Sequence, residues 1–234
     1  MRETLVLDDP AGAAAERIAG AVSGGGHVAL AGGSSPRAAY ERLAIMDVAW
    51  SGATLWFGDE RCVPPEDRRS NFGMVRGTLL DRLTGAKPDV WRMEAERGPD
   101  EAASAYERLL LAAFAGDPPV LDLVLLGIGP DGHCASLFPG QPALEERERL
   151  VVCVPRPGFP PWVPRVTLTL RVINAAREVL FLATGAEKAE AVARSVAEPA
   201  HRDVPASLVA PTSGAVTVLL DPAAAGGLPA QASS

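Results

Sequence analysis

Short apolar runs alternate with amphipathic stretches along this chain. HVALAG (27–32) precedes PRAAYERLAIM, ATLWFGDE (53–60) precedes a charged loop and NFGMVRGTLLDRL, and LDLVLLGIG (121–129) precedes another loop. RVTLTL (165–170), REVLFLAT (177–184) with the helical AEKAEAVARSV behind it, and AVTVLLD (215–221) follow. Runs such as LDLVLLG are apolar at almost every position, as expected of strands buried on both faces. Strands alternating with helices predict an α/β fold, a mainly parallel sheet with helices on both faces.

Ligands of such sheets bind outside the carboxyl ends of the strands. The loops expected there are GGSSP, GDERCVPPEDRRSN and GPDGHCAS, and they hold the chain's unusual residues. In RVTLTL, alternation puts Arg165, Thr167 and Thr169 on one face and Val166, Leu168 and Leu170 on the other. PRPGFPPWVP (155–164) is too rich in proline for helix or central strand and reads as an extended surface loop, and residues from about 222 to 234 read as a flexible tail.

A length of 234 residues suits one domain spanning 1–234, large enough to close its core without disulfides or metals. The net charge of −7 and pI near 5.1 argue against nucleic acid, so an anionic ligand must be small and caged locally. No apolar run approaches the roughly 20 residues of a membrane span, and no leader pattern opens the chain. Cys62, Cys134 and Cys153 form no CxxC pair and fit reduced thiols in a cytoplasmic protein.

Three constellations point to chemistry. In AGGSSPRAAYERL, Gly32 and Gly33 allow a tight turn, Ser35 is the expected N-cap and Pro36 the first helical residue. A strand, a glycine turn and a helix start make an anion site, although an ordinary capped turn has the same pattern. GGSSP lacks the closing glycine of a GxSxG nucleophile elbow, and no Walker lysine follows it. The second is GDER, where Asp59 and Arg61 lie close to a strand end and a guanidinium there suits an anion or a developing oxyanion. The third is DGH: His133 is the sharpest candidate base, since an imidazole exchanges protons near neutral pH, and either Asp131 or Asp59 is a candidate to orient it. Arg165 opens a strand, and Lys188 sits in the first turn of a helix, a poor place for a cation unless an anion binds there. His27 and His201 lack such surroundings and read as structural or exposed, and neither His133 nor the acids have zinc-site spacing.

LAGGSSPRAAYERL, WFGDERCVPPEDRRSNFGMVRGTLL, LDLVLLGIGPDGHCASLFPG and PRVTLTLRVINAAREVLFLATGAEKAEAV occur in this order from about Leu30 to Val196. Together they resemble the 6-phosphogluconolactonase family, within the group that includes glucosamine-6-phosphate deaminase. The resemblance implies a modified Rossmann-like domain that hydrolyses 6-phosphoglucono-δ-lactone to 6-phosphogluconate in the oxidative pentose phosphate pathway, without metal or organic cofactor. It implies a small sugar-phosphate lactone as partner. Carried over by position, His133 matches the general base, Asp59 and Arg61 line the site, Gly33, Ser34 and Ser35 match the phosphate loop, and Arg165 and Lys188 its basic partners. Two other expectations compete: an amino-sugar phosphate deaminase, whose histidine loop continues with an Asn-Glu-Pro pattern where this chain reads HCASLFPG, and a non-catalytic sugar-phosphate sensor. The oligomeric state is not readable from these motifs.

Overall fold

The computed structural model describes residues 2–115, 117–197 and 199–229. In chain order the elements are β1 (Arg2–Val6), α1 (Pro10–Ser23), β2 (His27–Leu30), α2 (Ser34–Leu43), β3 (Thr54–Phe57), β4 (Asp59–Arg61), α3 (Asn71–Thr78), β5 (Asp89–Val90), α4 (Pro99–Ala113), β6 (Leu123–Leu126), β7 (Val151–Val154), β8 (Arg165–Leu168), α5 (Leu170–Ile173), β9 (Glu178–Ala183), α6 (Ala189–Val196) and β10 (Ala215–Leu220). Seven strands form one parallel sheet in the order β1-β10-β9-β6-β2-β3-β5, and β4-β8-β7 form a small antiparallel sheet.

Strand alternation divides the large sheet between two cores. Val28, Leu30, Leu55, Phe57, Leu123 and Leu125 face α1, α2 and α3, while Ala29, Trp56, Val124 and Leu126 face α4, α5 and α6. Nearly every position is therefore apolar because both faces are covered, and each fully buried leucine or isoleucine stabilises by about 1.5–3 kcal/mol. The expected α/β architecture with helices on both faces is the one observed. Helix starts follow local chemistry: Asp9 caps α1 by accepting from the Gly12 N–H at 3.0 Å, with Pro10 next, and Ser70 caps α3 by accepting from Gly73.

From β2 the sheet grows through β3 and β5 on one side and through β6, β9 and β10 on the other. The reversal of direction opens a crevice at the carboxyl ends of β2 and β6, the place where ligands bind in open parallel sheets.

Three expectations need correction. RVTLTL does not join the parallel sheet: β8 ends at Leu168 and pairs antiparallel with β4 and β7. GDER is not a loop, because the chain leaves β3, turns at Gly58 and enters the small sheet as β4 at once. The supposed tail from 222 packs as a 3-10 turn, Ala224–Gly227, against α6 with Ala224 fully buried, and 230–234 lie outside the described residues. Among the described residues no helix is long and apolar enough to cross a membrane.

Candidate active site

The loops after β2 and β6 meet β4, β8 and the segment after β9 around a cavity of about 220 Å3. Gly32, Gly33, Ser34, Ser35, Asp59, Arg61, His133, Arg165 and Lys188 all line it. Asp131 does not; it stands behind His133. A larger cavity of about 940 Å3, walled by Leu80, Trp91, Tyr106 and Leu109, holds no histidine, serine or glycine, so size alone does not locate the chemistry.

At the start of α2, Gly33 is the N-cap residue with φ 107°, a left-handed conformation that favours glycine. The first intrahelical bond runs from Arg37 N–H to the Gly33 carbonyl at 3.1 Å, so the Ser34 and Ser35 amides precede it at the positive end of the helix. Ser35 is not the cap the sequence suggested. Its hydroxyl instead bonds Thr184 Oγ1 at 2.8 Å and accepts from the Thr184 N–H, tying this turn to the segment that carries Lys188. Gly32 admits no side chain, because a Cβ there would lie 1.8 Å from Asn71 Oδ1.

In the histidine loop, Asp131 accepts the His133 N–H at 3.1 Å and contacts Nδ1 at 2.5 Å. A proton on Nδ1 suits this contact with a carboxylate and leaves Nε2 without its own hydrogen. Of the two acids left open by the sequence, it is Asp131 that touches the imidazole. Burial raises the Asp131 carboxyl, but the hydrogen bond and charge of His133 outweigh it and hold the group below its ordinary range. The ring packs at 4.6 Å from Phe138 and 5.8 Å from Phe159 between centroids. Ala135 two residues on has φ 47°, a strained conformation for a residue with a Cβ, in the turn that directs Ser136 inward.

Asp59 serves the framework around the histidine loop. It accepts from Ser136 Oγ at 2.6 Å and from Asn71 Nδ2 at 3.1 Å, and both partners are buried. Arg61 and Arg165 stand opposite each other across β4 and β8, and each has a buried Nε without a hydrogen-bond partner. Like charges in register repel unless an anion lies between or beside them. Arg165 is 2 % exposed; burial lowers its pKa, Asp59 opposes that and Arg61 adds to it. Its NH2 donates to the carbonyls of Phe159 and Pro161 at 3.0 and 3.1 Å, and NH1 lies 3.4 Å from Ser136 Oγ. Lys188 is likewise lowered, first by burial, with Glu187 and Asp131 opposing. Burial pushes the Cys134 thiol up to about 12, so the cysteine beside the histidine is no nucleophile at neutral pH.

The family model describing glucosamine-6-phosphate isomerases and 6-phosphogluconolactonase matches residues 4–218. The chain belongs to this family. It is 43 % identical to the human 6-phosphogluconolactonase over 210 residues, 89 % of this chain and 80 % of that protein. The Streptomyces coelicolor 6-phosphogluconolactonase is 38 % identical over 237 residues, 97 % of this chain and 87 % of that one. Among solved structures, the Trypanosoma brucei 6-phosphogluconolactonase superposes with a TM-score of 0.82 at 30 % identity, covering 98 % of this chain and 99 % of that one. The family resemblance read from four sequence motifs thus holds along the chain.

Further residues brace the cavity that were not candidates for chemistry in the sequence. Glu60 receives the N–H groups of Arg61, Asn71 and Phe72 and the Ser70 hydroxyl, fixing β4 to the start of α3, and burial raises its pKa against those bonds. Ser136 joins Asp59 to Arg165, Thr184 holds Ser35, and Phe159 with Pro160 brings the proline-rich segment into the cavity wall. Ser136 lies in the histidine loop GPDGHCAS, but its partner Asp59 is 77 residues away in sequence. Phe159 lay in a segment expected to be mere surface.

Proposed function

We propose that this chain hydrolyses the ring ester of 6-phosphoglucono-δ-lactone to 6-phosphogluconate, a step of the oxidative pentose phosphate pathway. The observation that carries the reading is an Asp131-oriented imidazole facing one cavity with a glycine–serine helix start and three cationic side chains. Names of relatives similar along most of the chain support the same reaction.

In this mechanism His133 Nε2 takes a proton from water as the water oxygen bonds to the lactone carbonyl carbon. Arg61 stabilises the oxyanion. On collapse the bond from that carbon to the ring oxygen breaks, His133 returns its proton to the departing oxygen, and the new carboxylic acid ionises into solvent. The Ser34 and Ser35 amides and Lys188 hold the phosphate, with Gly32 and Gly33 giving it room and Arg165 adding positive potential. A positioned base contributes about 10²- to 10⁴-fold and an oxyanion donor about 10²- to 10³-fold, sufficient for an activated ester without metal, cofactor or covalent nucleophile. The chain acts as one catalytic unit in the cytoplasm, where its three free thiols stay reduced.

Purified protein mixed with freshly made lactone should open it far faster than buffer, and His133→Ala should lower kcat by about 10² or more while phosphate affinity persists. Opening at the background rate by the unaltered protein overturns the reading. Ammonia release from glucosamine 6-phosphate would indicate the deaminase instead, and tight binding without turnover a sensor.

A further inference from the structure

Among the described residues of the cavity wall, Phe159 and Pro160, in the segment between β7 and β8, belong to none of the four family-like motifs. Gly158 packs so closely on Phe138 that a Cβ there would lie 3.1 Å from the Phe138 Cβ. The next residues turn back into the cavity, where Phe159 and Pro160 form wall. The buried Arg165 pins this stretch from below, its NH2 held by the carbonyls on either side of Pro160. A guanidinium with one nitrogen bonded to two carbonyls of the same short loop fixes that loop's position while its Nε stays unpartnered.

The two phenylalanines beside His133 differ in kind. Phe138 is fully buried and belongs to the core, whereas Phe159 is 37 % exposed. Phe159 lines the cavity with part of its surface exposed and its ring centroid 5.8 Å from the imidazole, so it offers apolar surface beside the group the imidazole acts on. A six-membered sugar lactone has such a face, since its ring C–H groups pack on aromatic π surface while its hydroxyls point to the rim.

We propose that Phe159 is a specificity-determining residue: it forms the platform on which the sugar ring rests, equally in the ground and transition states, and Arg165 is the positioning residue that sets the platform. The proposal rests on the reading of the cavity as a sugar-phosphate lactone site. It divides recognition between two ends, a polar cradle at Gly33–Ser35 and Lys188 for the phosphate and an aromatic wall for the ring. It also gives the buried Arg165 a task beyond adding charge.

The test compares Phe159→Ala, Phe159→Leu and Phe159→Tyr with the unaltered chain. Phe159→Ala should raise KM for the δ-lactone about tenfold and leave kcat within about threefold. By calorimetry it should weaken glucose 6-phosphate, a pyranose probe, by about the same factor and leave inorganic phosphate unchanged. Phe159→Tyr should restore both values, and Phe159→Leu only part of each. Equal weakening of both probes, no weakening of either, or full rescue by leucine overturns the proposal, as does an unaltered chain that binds glucose 6-phosphate no better than phosphate. An unaltered chain that opens no lactone overturns the function reading alone, because the calorimetric comparison still measures the ring contact.

Discussion

Asp131→Asn isolates the support of the proposed base. The carboxylate makes two contacts to His133, at its N–H and at Nδ1, and makes no wall of the cavity. The amide keeps the volume but loses the charge, and it can present a donor to Nδ1, which would move the ring proton to Nε2 and silence the base. A hydrogen bond to a charged group is worth about 1.5–3 kcal/mol, and the imidazolium that forms during water attack depends on it. At about 1.4 kcal/mol per tenfold, kcat should fall roughly 10- to 150-fold. KM should stay level or fall, because the carboxylate draws on Lys188 and its removal makes the phosphate end more positive. Steady-state hydrolysis of fresh lactone gives both constants, and a cycle with His133→Ala isolates the coupling. In the double variant Asp131→Asn should cost almost nothing further. A kcat within twofold in the single variant, or losses that simply add, would refute the assignment of Asp131. The stability effect has its own sign: the folded carboxyl lies below its unfolded value of about 3.9, so the stabilisation is fully present above about pH 4 and fades as pH falls through the folded value. The gap in unfolding free energy between the two proteins should therefore close in acid and not near neutrality.

Lys188→Ala should raise KM for the lactone with kcat nearly kept, read from the same assay, since the phosphate is remote from the reacting carbonyl. Arg165→Ala should differ by also destabilising the fold, because it leaves Ser136, two loop carbonyls and the buried Asp59 without their cation; a loss of about 3 kcal/mol corresponds to roughly 6–12 °C in Tm by calorimetry. A Tm unchanged within a degree would mean the guanidinium is not the clamp described. Gly32→Ala should cost at least about 2 kcal/mol in urea unfolding, because its Cβ and the Asn71 amide cannot occupy the same space and Asn71 braces Asp59.

Much of the fold was legible because burial on both faces leaves a local mark: β2, β6, β9 and β10 coincide with continuous apolar runs. Strands β4 and β5, of three and two residues, carry no such pattern. Nor did β8 reveal its sheet, since an antiparallel partner from residues 59–61 leaves no trace in RVTLTL. The ten site residues named from the sequence all meet at the cavity or directly behind it, as expected when parallel strands present their following loops on one side.

The sequence by itself determined which residues could do chemistry and at which strand ends they would stand, because residue type, glycine turns and apolar periodicity are local properties. Tertiary structure decided the pairings: Asp131 and not Asp59 on the imidazole, Ser136 between Asp59 and Arg165, Ser35 on Thr184, the Phe159 ring beside the histidine and the Phe159 carbonyl on a buried arginine. Most of these contacts join residues far apart in the chain, and Asp131 and Asp59 were equal candidates until the turn geometry was known. Hydrogen bonds and ring contacts are set by distance in space, and distance in space is what the packing of the two sheets supplies.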